Sequence, residues 1–567
     1  MLPNTNQAPQ VPPPTQEELD AAGGIYDKLK LLSPEKYLDL SERELSIIFS
    51  KVTKPYCCYN TTYKRWMFYN GKTWTVDASG VKIRQVTNKF AYEFLRYAMD
   101  VTNDHEDHFY QIAYDLGNAS TRNSLIKDSI DKNTASDEDM DKDIYLINLQ
   151  NGTYDLRNMV LRPHSYKDML TKIANAEYSP GAQSNILDNF MNSTFSGDQD
   201  LIQYIYRVLG LCLSGEISPE AFWIFLGETT RNGKSTLMNT FAYMLGGTSG
   251  YALNCDISSL AKKKYYNGSS PSSDIARLKG ARFVVASEPA KDFTLDEAKV
   301  KALTGGDRIT ARMLRSNDIE YTPTFKIFIG TNHRPSISDD SILRSNRIRI
   351  VPFLKHFSED EQNKNLKEQL KMPEVLNALF VNALGGWSQY KKTGLNEPQI
   401  VKEATAEYQT SGQVFDLFFD STFERCEGNK ITLAEFYPLY VAWCTENDFV
   451  IADKHDINSF MRAKGIYASS ATINGKTHRN VLVNYRYKTV EPSTPPNNAV
   501  STTPVPFNDD YNNSGMGDVF NSLMGNFGFD SPESTYQPYV NTQKNDPQIT
   551  PNDFENRSLT GPDHAPF

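Results

Sequence analysis

The sequence predicts an α/β fold: an alternating strand–helix core, an α+β region before it, a mainly helical region after it, and unstructured ends. Three observations predict it. Between about residues 191 and 355, apolar runs of strand length alternate with helix-length segments. A glycine-rich loop, "GETTRNGKST" (227–236), joins the run "FWIFL" to the run "LMNTFAYML". Both ends are rich in Pro, Asn, Gln, Ser or Thr, a composition that does not bury enough apolar surface to order a chain.

The elements follow in order. Residues 1–20 are expected to be disordered. Residues 21–190 form a mixed region. In it, "PYCCYN" and "RWMFYNGKTWTVD" read as a hairpin about Asn70-Gly71, and "VTNKFAYEFLRYAMDV" has helical spacing. "DKNTASDEDMDKD" (131–143) reads as a charged loop, and "YLINLQNGTYDL" as a strand and turn. Residues 191–355 are the α/β core. Residues 356–490 are mainly helical and end in a strand pair, "THRNVLVNYRYK". Residues 491–567 read as a disordered acidic tail.

The chain has 567 residues and a net charge of −10. From residue 491 onward there are ten acids and two bases, so most of that charge belongs to the tail. The body is nearly neutral and has room for a local basic groove. Six scattered cysteines are expected to be reduced thiols, as in the cytoplasm of a host cell. No apolar run is long enough to cross a membrane, so neither membrane insertion nor export is expected.

A glycine-rich loop that opens a helix is built to hold phosphates. Its backbone N–H groups and the helix N-terminus face the anion, a Lys reaches the outer phosphates, and the next hydroxyl ligates Mg²⁺. The phosphate-binding set is Gly227, Glu228, Thr229, Thr230, Arg231, Asn232, Gly233, Lys234, Ser235 and Thr236. The usual loop has four residues between its glycines, whereas Gly227 and Gly233 are separated by five. Either the loop is one residue longer, or Glu228 takes the first position.

Hydrolysis also needs an acid, a polar group that orients water, and a positive charge for the γ-phosphate. "ARFVVASE" ends in Glu288, "TFKIFIGTN" ends in Asn332, and "SILRSNRIRIVPF" offers Arg344, Arg347 and Arg349. An acid after a strand can be a helix cap and an Asn a turn residue. The ordered set points to ATP hydrolysis with Mg²⁺, held by Ser235 and Glu288.

The stretches "LINLQNGTYDL", "RVLGLCLSGEI", "NGKSTL", "DIARLKGARFVVASEP", "LTGGDRITAR", "TFKIFIGTNHRP" and "NRIRIVPF" resemble the superfamily 3 helicases of the poxvirus and phage/plasmid primase-helicase type. The likeness runs from about 85 to 490, and "LTGGDRITAR" is its most specific piece. It implies an AAA+ core acting as a hexameric ring that translocates on DNA and separates its strands. Lys234 and Ser235 match the first motif, Glu288 the second and Asn332 the sensor position. Many relatives carry two adjacent acids where this chain has Ser287-Glu288. Arg347 best fits the finger that reaches a neighbouring subunit's ATP, with Arg344 next.

The resemblance also places a channel hairpin in "ITARMLRSNDIEYTPTF", with "RSND" as its turn and Arg312 and Arg315 as contacts to single-stranded DNA. A solvated basic face is the plainer reading of those two arginines, and of "AKKKYYNG" (261–268). Residues 405–490 match a C-terminal winged-helix module, whose wing would offer Lys476, His478 and Arg479 to duplex origin DNA. Phe436, Tyr440 and Trp443 read as its core. Only about 80 residues precede the matching region, too few for a primase domain. A separate primase or replisome protein is therefore expected, docking through the tail motif "DVFNSLMGNFGFD" (518–530). The function implied is an ATP-dependent replicative helicase of a phage, plasmid or mobile genetic element. The alternative is an origin-binding initiator or helicase loader that does not itself unwind. A small-molecule kinase on the same loop gives "LTGGDRITAR" no role.

Overall fold

The computed structural model describes residues 14–34, 40–101, 106–227, 229–262, 272–287, 295–312, 318–335, 346–447 and 449–488. Order begins before residue 20. Thr15 and Glu18 form a capping box on helix α1 (Gln16–Ala21), and Leu19 is buried. One reciprocal cap and one apolar anchor set the start of structure inside a stretch whose composition reads as disordered.

Helices α2 (Ile25–Leu32), α3 (Glu42–Thr53), α4 (Val81–Asp100), α5 (Glu106–Leu116) and α6 (Ala119–Asp128) bury Leu29, Phe49, Phe90, Phe94, Phe109 and Leu116 in one N-terminal core. Strands β1 (Cys57–Asn60), β2 (Arg65–Tyr69), β3 (Trp74–Val76) and β4 (Thr134–Ala135) pair in the order β3-β2-β1-β4. Asn70-Gly71 turns the chain between β2 and β3. The Asn70 Oδ1 accepts the Lys72 and Thr73 N–H groups, and Gly71 has φ 96°. Strands β5 (Leu146–Leu149), β6 (Gly152–Asp155) and β7 (Val160–Arg162) form an antiparallel meander.

Helices α7 (Asn185–Thr194) and α8 (Gln199–Leu211) lead into the core. Its strands are β8 (Phe222–Leu226), β9 (Ala252–Asn254) and β10 (Phe283–Ser287). A side hairpin, β11 (Ile309–Arg312) with β12 (Asp318–Tyr321), precedes β13 (Lys326–Thr331) and β14 (Ile348–Pro352). The core sheet is parallel throughout, in the order β14-β8-β13-β10-β9. Its side chains alternate between two apolar layers, as a sheet covered on both faces requires. Trp223, Phe225, Phe283 and Phe328 face one layer, while Phe222, Ile224, Val284 and Ile329 face the other.

The helix Pro373–Thr393 joins the first of these layers by crossing α8. The crossing is glycine on glycine: a Cβ on Gly386 would stand 1.9 Å from the Tyr206 carbonyl oxygen, and one on Gly210 would stand 2.2 Å from the Trp387 nitrogen. The long helix Gln399–Thr422 then leads to β15 (Phe423–Thr432), helices Leu433–Glu446 and Lys454–Ala463, and strands β16 (Tyr467–Ile473) and β17 (Lys476–Tyr487). Strand β17 pairs on both sides, in the order β15-β17-β16. Phe436 and Tyr440 are buried in this C-terminal core, with Trp443 packed against it. Asn474-Gly475, with φ 47° and 76°, makes the two-residue turn between β16 and β17.

Candidate functional site

The loop 227–233 runs from the end of β8 into helix α9 (Lys234–Met244). In a parallel sheet, ligands gather at the carboxyl ends of the strands. Strand β13 lies between β8 and β10, and the register pairs Thr331 with Leu226 and Gly330 with Ser287. The start of the loop, the residue after β13 and the end of β10 therefore lie at the same edge of the sheet.

Lys234 is the centre of this point. Its side chain is buried, and Nζ donates to Asn332 Oδ1 at 2.9 Å, to Asn232 Oδ1 at 2.9 Å and to the Gly227 carbonyl at 3.2 Å. Burial pushes its ammonium down to about 8. Asn232 also donates to the Thr229 carbonyl at 2.6 Å, which folds the loop over the lysine. The Gly227 N–H donates to the Thr331 carbonyl at 3.2 Å and ties the loop to β13.

The five-residue spacing has a physical account. A Cβ on Gly227 would lie 2.0 Å from Asn232 Nδ2 and 2.7 Å from Lys234 Nζ, so any larger residue here would have to displace both side chains. This crowding favours Gly227 as the first glycine of a longer loop. Gly233 has φ 84° and packs on Thr194, whose hydroxyl is buried with no hydrogen bond. No side chain caps α9, so its first N–H groups are open to an anion, and Ser235 is exposed beside them.

Two features of the site carry no sequence motif. The segment after β14 grips the loop from outside, with the Phe357 N–H on the Arg231 carbonyl and His356 Nδ1 against the Thr230 carbonyl, each at 2.9 Å. Behind the loop, Phe190, Ser193, Thr236 and Phe357 help to line a cavity of about 680 Å³.

Arg347 does not approach this point in its own chain. Its carbonyl accepts the Phe222 N–H, which puts it at the opposite end of β8 from the loop. Its guanidinium donates to Thr304 Oγ1 at 3.0 Å and pairs with Glu220. Arg349 pairs with Glu397. Arg312 faces Asp318 across the β11–β12 hairpin at 3.8 Å. Asp318, expected in the turn, is the first residue of β12. Lys476 and Arg479 are exposed on β17. Glu228, Glu288, Arg315, Arg344, the tail motif 518–530 and all of "AKKKYYNG" beyond Lys262 lie outside the described residues.

Among the described residues, no group of three or more His, Cys, Asp or Glu side chains stands close enough to hold a metal ion. Nor is any described helix long and apolar enough to cross a membrane.

Comparison with known proteins gives two family matches. The family described as "D5 N terminal like" matches residues 47–196, and a family of unknown function (DUF5906) matches residues 225–347. "Putative helicase L207/L206" of Acanthamoeba polyphaga mimivirus is 29% identical over 358 residues, covering 59% of this chain and 36% of that protein. "Putative helicase 121R" of Invertebrate iridescent virus 3 is 24% identical over 388 residues, covering 62% of this chain and 40% of that protein. The chain therefore spans well under half the length of these curated relatives. A solved structure, the apo C-terminal region of NrS-1, aligns at 10% identity and a TM-score of 0.37, over 75% of this chain and 96% of that one. The family match at 47–196 and the viral relatives bear out the resemblance carried by the motifs: the chain is similar to D5-type viral proteins named as putative helicases.

Proposed function

We propose that this chain is the motor part of an ATP-dependent DNA helicase with an AAA+ core, working as a hexameric ring in the replication of a large DNA virus or related mobile element. The observation that carries the reading is the 2.9 Å contact between Lys234 Nζ and Asn332 Oδ1. It joins a phosphate-type loop to a strand-end amide at the carboxyl ends of adjacent parallel strands, where a nucleotide's phosphates and the attacking water must meet. The viral relatives with helicase names, and the sheet order β14-β8-β13-β10-β9, support it.

The residues present fit ATP and Mg²⁺. ATP supplies the transferable phosphate, and Mg²⁺ neutralises charge on its oxygens. The open N–H groups of α9 and the Lys234 ammonium hold the phosphates, and the Ser235 hydroxyl faces the metal. Asn332 sets the lysine through Oδ1, which leaves its N–H₂ to orient water. Glu288 would accept that water's proton. The cavity behind the loop takes the nucleoside. Arg347, remote from its own loop, acts on the site of a neighbouring subunit, with Arg344 as the second candidate. Arg312 and Arg315 contact single-stranded DNA from the hairpin, and Lys476 and Arg479 contact duplex from a winged-helix module formed by residues 405–490. A primase or replisome partner docks on the tail motif 518–530.

The test is unwinding of forked duplexes with a 3′ or a 5′ arm by the wild type and Lys234→Ala. Unwinding by the wild type alone supports a motor. DNA-stimulated ATP hydrolysis without unwinding, by the chain alone and together with partner proteins, would replace it with an initiator or loader.

A further inference from the structure

A second cavity, of about 760 Å³, lies in the N-terminal domain and shares no residue with the loop. Its volume is ordinary for a small-molecule site. Lys28 lines it. Helix α2 buries Ile25, Lys28, Leu29 and Leu32, so a lysine occupies a core position of an amphipathic helix. Lys28 is 2% exposed, and its ammonium makes no hydrogen bond or ion pair among the described residues. Burying a charge is costly, and burial, only partly offset by the nearby Asp20 carboxylate, lowers the Lys28 pKa.

The ammonium's neighbour is the Tyr56 ring, with Nζ 5.5 Å from the centroid. Lys89, on α4, stands 5.8 Å from the same centroid, and so the two cations share one ring. Asp20 also lines the cavity, but its carboxylate is occupied by Tyr166 Oη at 2.7 Å, Gln16 Nε2 at 3.0 Å and Lys167 Nζ at 3.0 Å. The half-buried imidazole of His164 also lines the cavity. The remaining wall includes Phe68 and Tyr69. Paired cations with unused donors beside flat aromatic walls are the chemistry that holds a phosphate attached to a base.

We propose that this cavity binds a nucleotide unit, its phosphate between Lys28 and Lys89 and its base against the aromatic wall. The unit is a free nucleotide or the phosphorylated end of a strand; the chemistry is the same.

The experiment uses the full chain carrying Lys234→Ala, so that the loop is silent. Calorimetry compares inorganic phosphate, deoxyadenosine 5′-monophosphate, and an oligodeoxyadenylate with and without a 5′-phosphate. The mononucleotide is expected to bind about tenfold more tightly than inorganic phosphate. Lys28→Met should weaken it about tenfold and Lys89→Ala about threefold, as expected for charge-assisted contacts. A 5′-phosphorylated strand that outbinds both its unphosphorylated twin and the mononucleotide would also support the proposal, and assign the strand end as the source. Lys28→Met removes a buried charge, so its melting temperature should hold or rise; exposed Lys89 is the second probe if it does not. Inorganic phosphate binding as tightly as the mononucleotide, no binding at all, or binding unmoved by either substitution would overturn the proposal.

Discussion

Replacing Gly227 with alanine tests the loop at its tightest point. The new Cβ would stand 2.0 Å from Asn232 Nδ2 and 2.7 Å from Lys234 Nζ, where ordinary contact needs roughly 3.4 Å or more. Asn232 is buried, so its amide has little room to retreat. Moving it breaks the bond to the Thr229 carbonyl and the bond from Lys234. The first is a neutral hydrogen bond of about 1 kcal/mol, and the second, to a charged donor, is about 2 kcal/mol. Losing both costs about 3 kcal/mol, or roughly 100-fold in nucleotide affinity. The assay is titration with a fluorescent ATP analogue, followed by ATP hydrolysis. Truncating the obstacle supplies an internal check: Gly227→Ala with Asn232→Ala should be less impaired than the two single losses combined, because the amide that blocks the methyl is gone. Wild-type affinity in Gly227→Ala would refute the reasoning and return the first-glycine position to Glu228.

Three further outcomes are expected. Burial lowers Lys234 from 10.5 to about 8, so the penalty on its charged form is fully present below about 8 and is relieved as pH rises toward 10.5. Phosphate favours the charged form; nucleotide binding near pH 8 should take up a proton and weaken at higher pH, and equal binding heats in buffers of different ionisation enthalpy would contradict this. Gly386→Ala should destabilise the chain by about 3 kcal/mol and lower the melting temperature by several degrees, because its Cβ meets Tyr206 backbone that has no side-chain freedom. Gly385→Ala, with nothing within 4 Å, is the harmless comparison in scanning calorimetry. Finally, Arg347→Ala should bind ATP and not hydrolyse it, and mixing it with Lys234→Ala should restore hydrolysis at interfaces that pair an intact loop with an intact arginine; a mixture as inactive as its parts would end the trans assignment.

The parts of the fold that follow from local chemistry were legible. Buried strands with alternating layers, the Asn70-Gly71 turn, the Asn474-Gly475 turn and the helix carrying Phe436 and Tyr440 all announce themselves by period or turn residue. The lysine and the strand-end Asn were legible as candidates, although only the sheet register shows that they touch. What escaped was non-local. Nothing near His356 or Phe357 signals that their segment grips the loop through backbone groups. Gly210 and Gly386 read as weak helix residues until the crossing of their helices explains them. Nothing local marks Lys28, because its burial depends on strands and helices far away in sequence. The start of order inside residues 1–20 was hidden by composition, which averages over a cap of four residues.

Strand β13 joins the loop site to the β11–β12 hairpin. At one end is Asn332, on the lysine; at the other, five residues back from Lys326, is Tyr321 at the base of the β11–β12 hairpin. All six residues of β13 are buried, and its neighbours on both sides are hydrogen-bonded to it. The connecting segment is pinned as well, by the Thr324 hydroxyl on the Ala281 carbonyl and the Lys326 N–H on the Arg282 carbonyl. A close-packed strand of this kind does not stretch or slide by itself. If the chain is the motor proposed above, movement passed from the loop to the hairpin would have to be a tilt of the whole sheet, not a stretch of this strand.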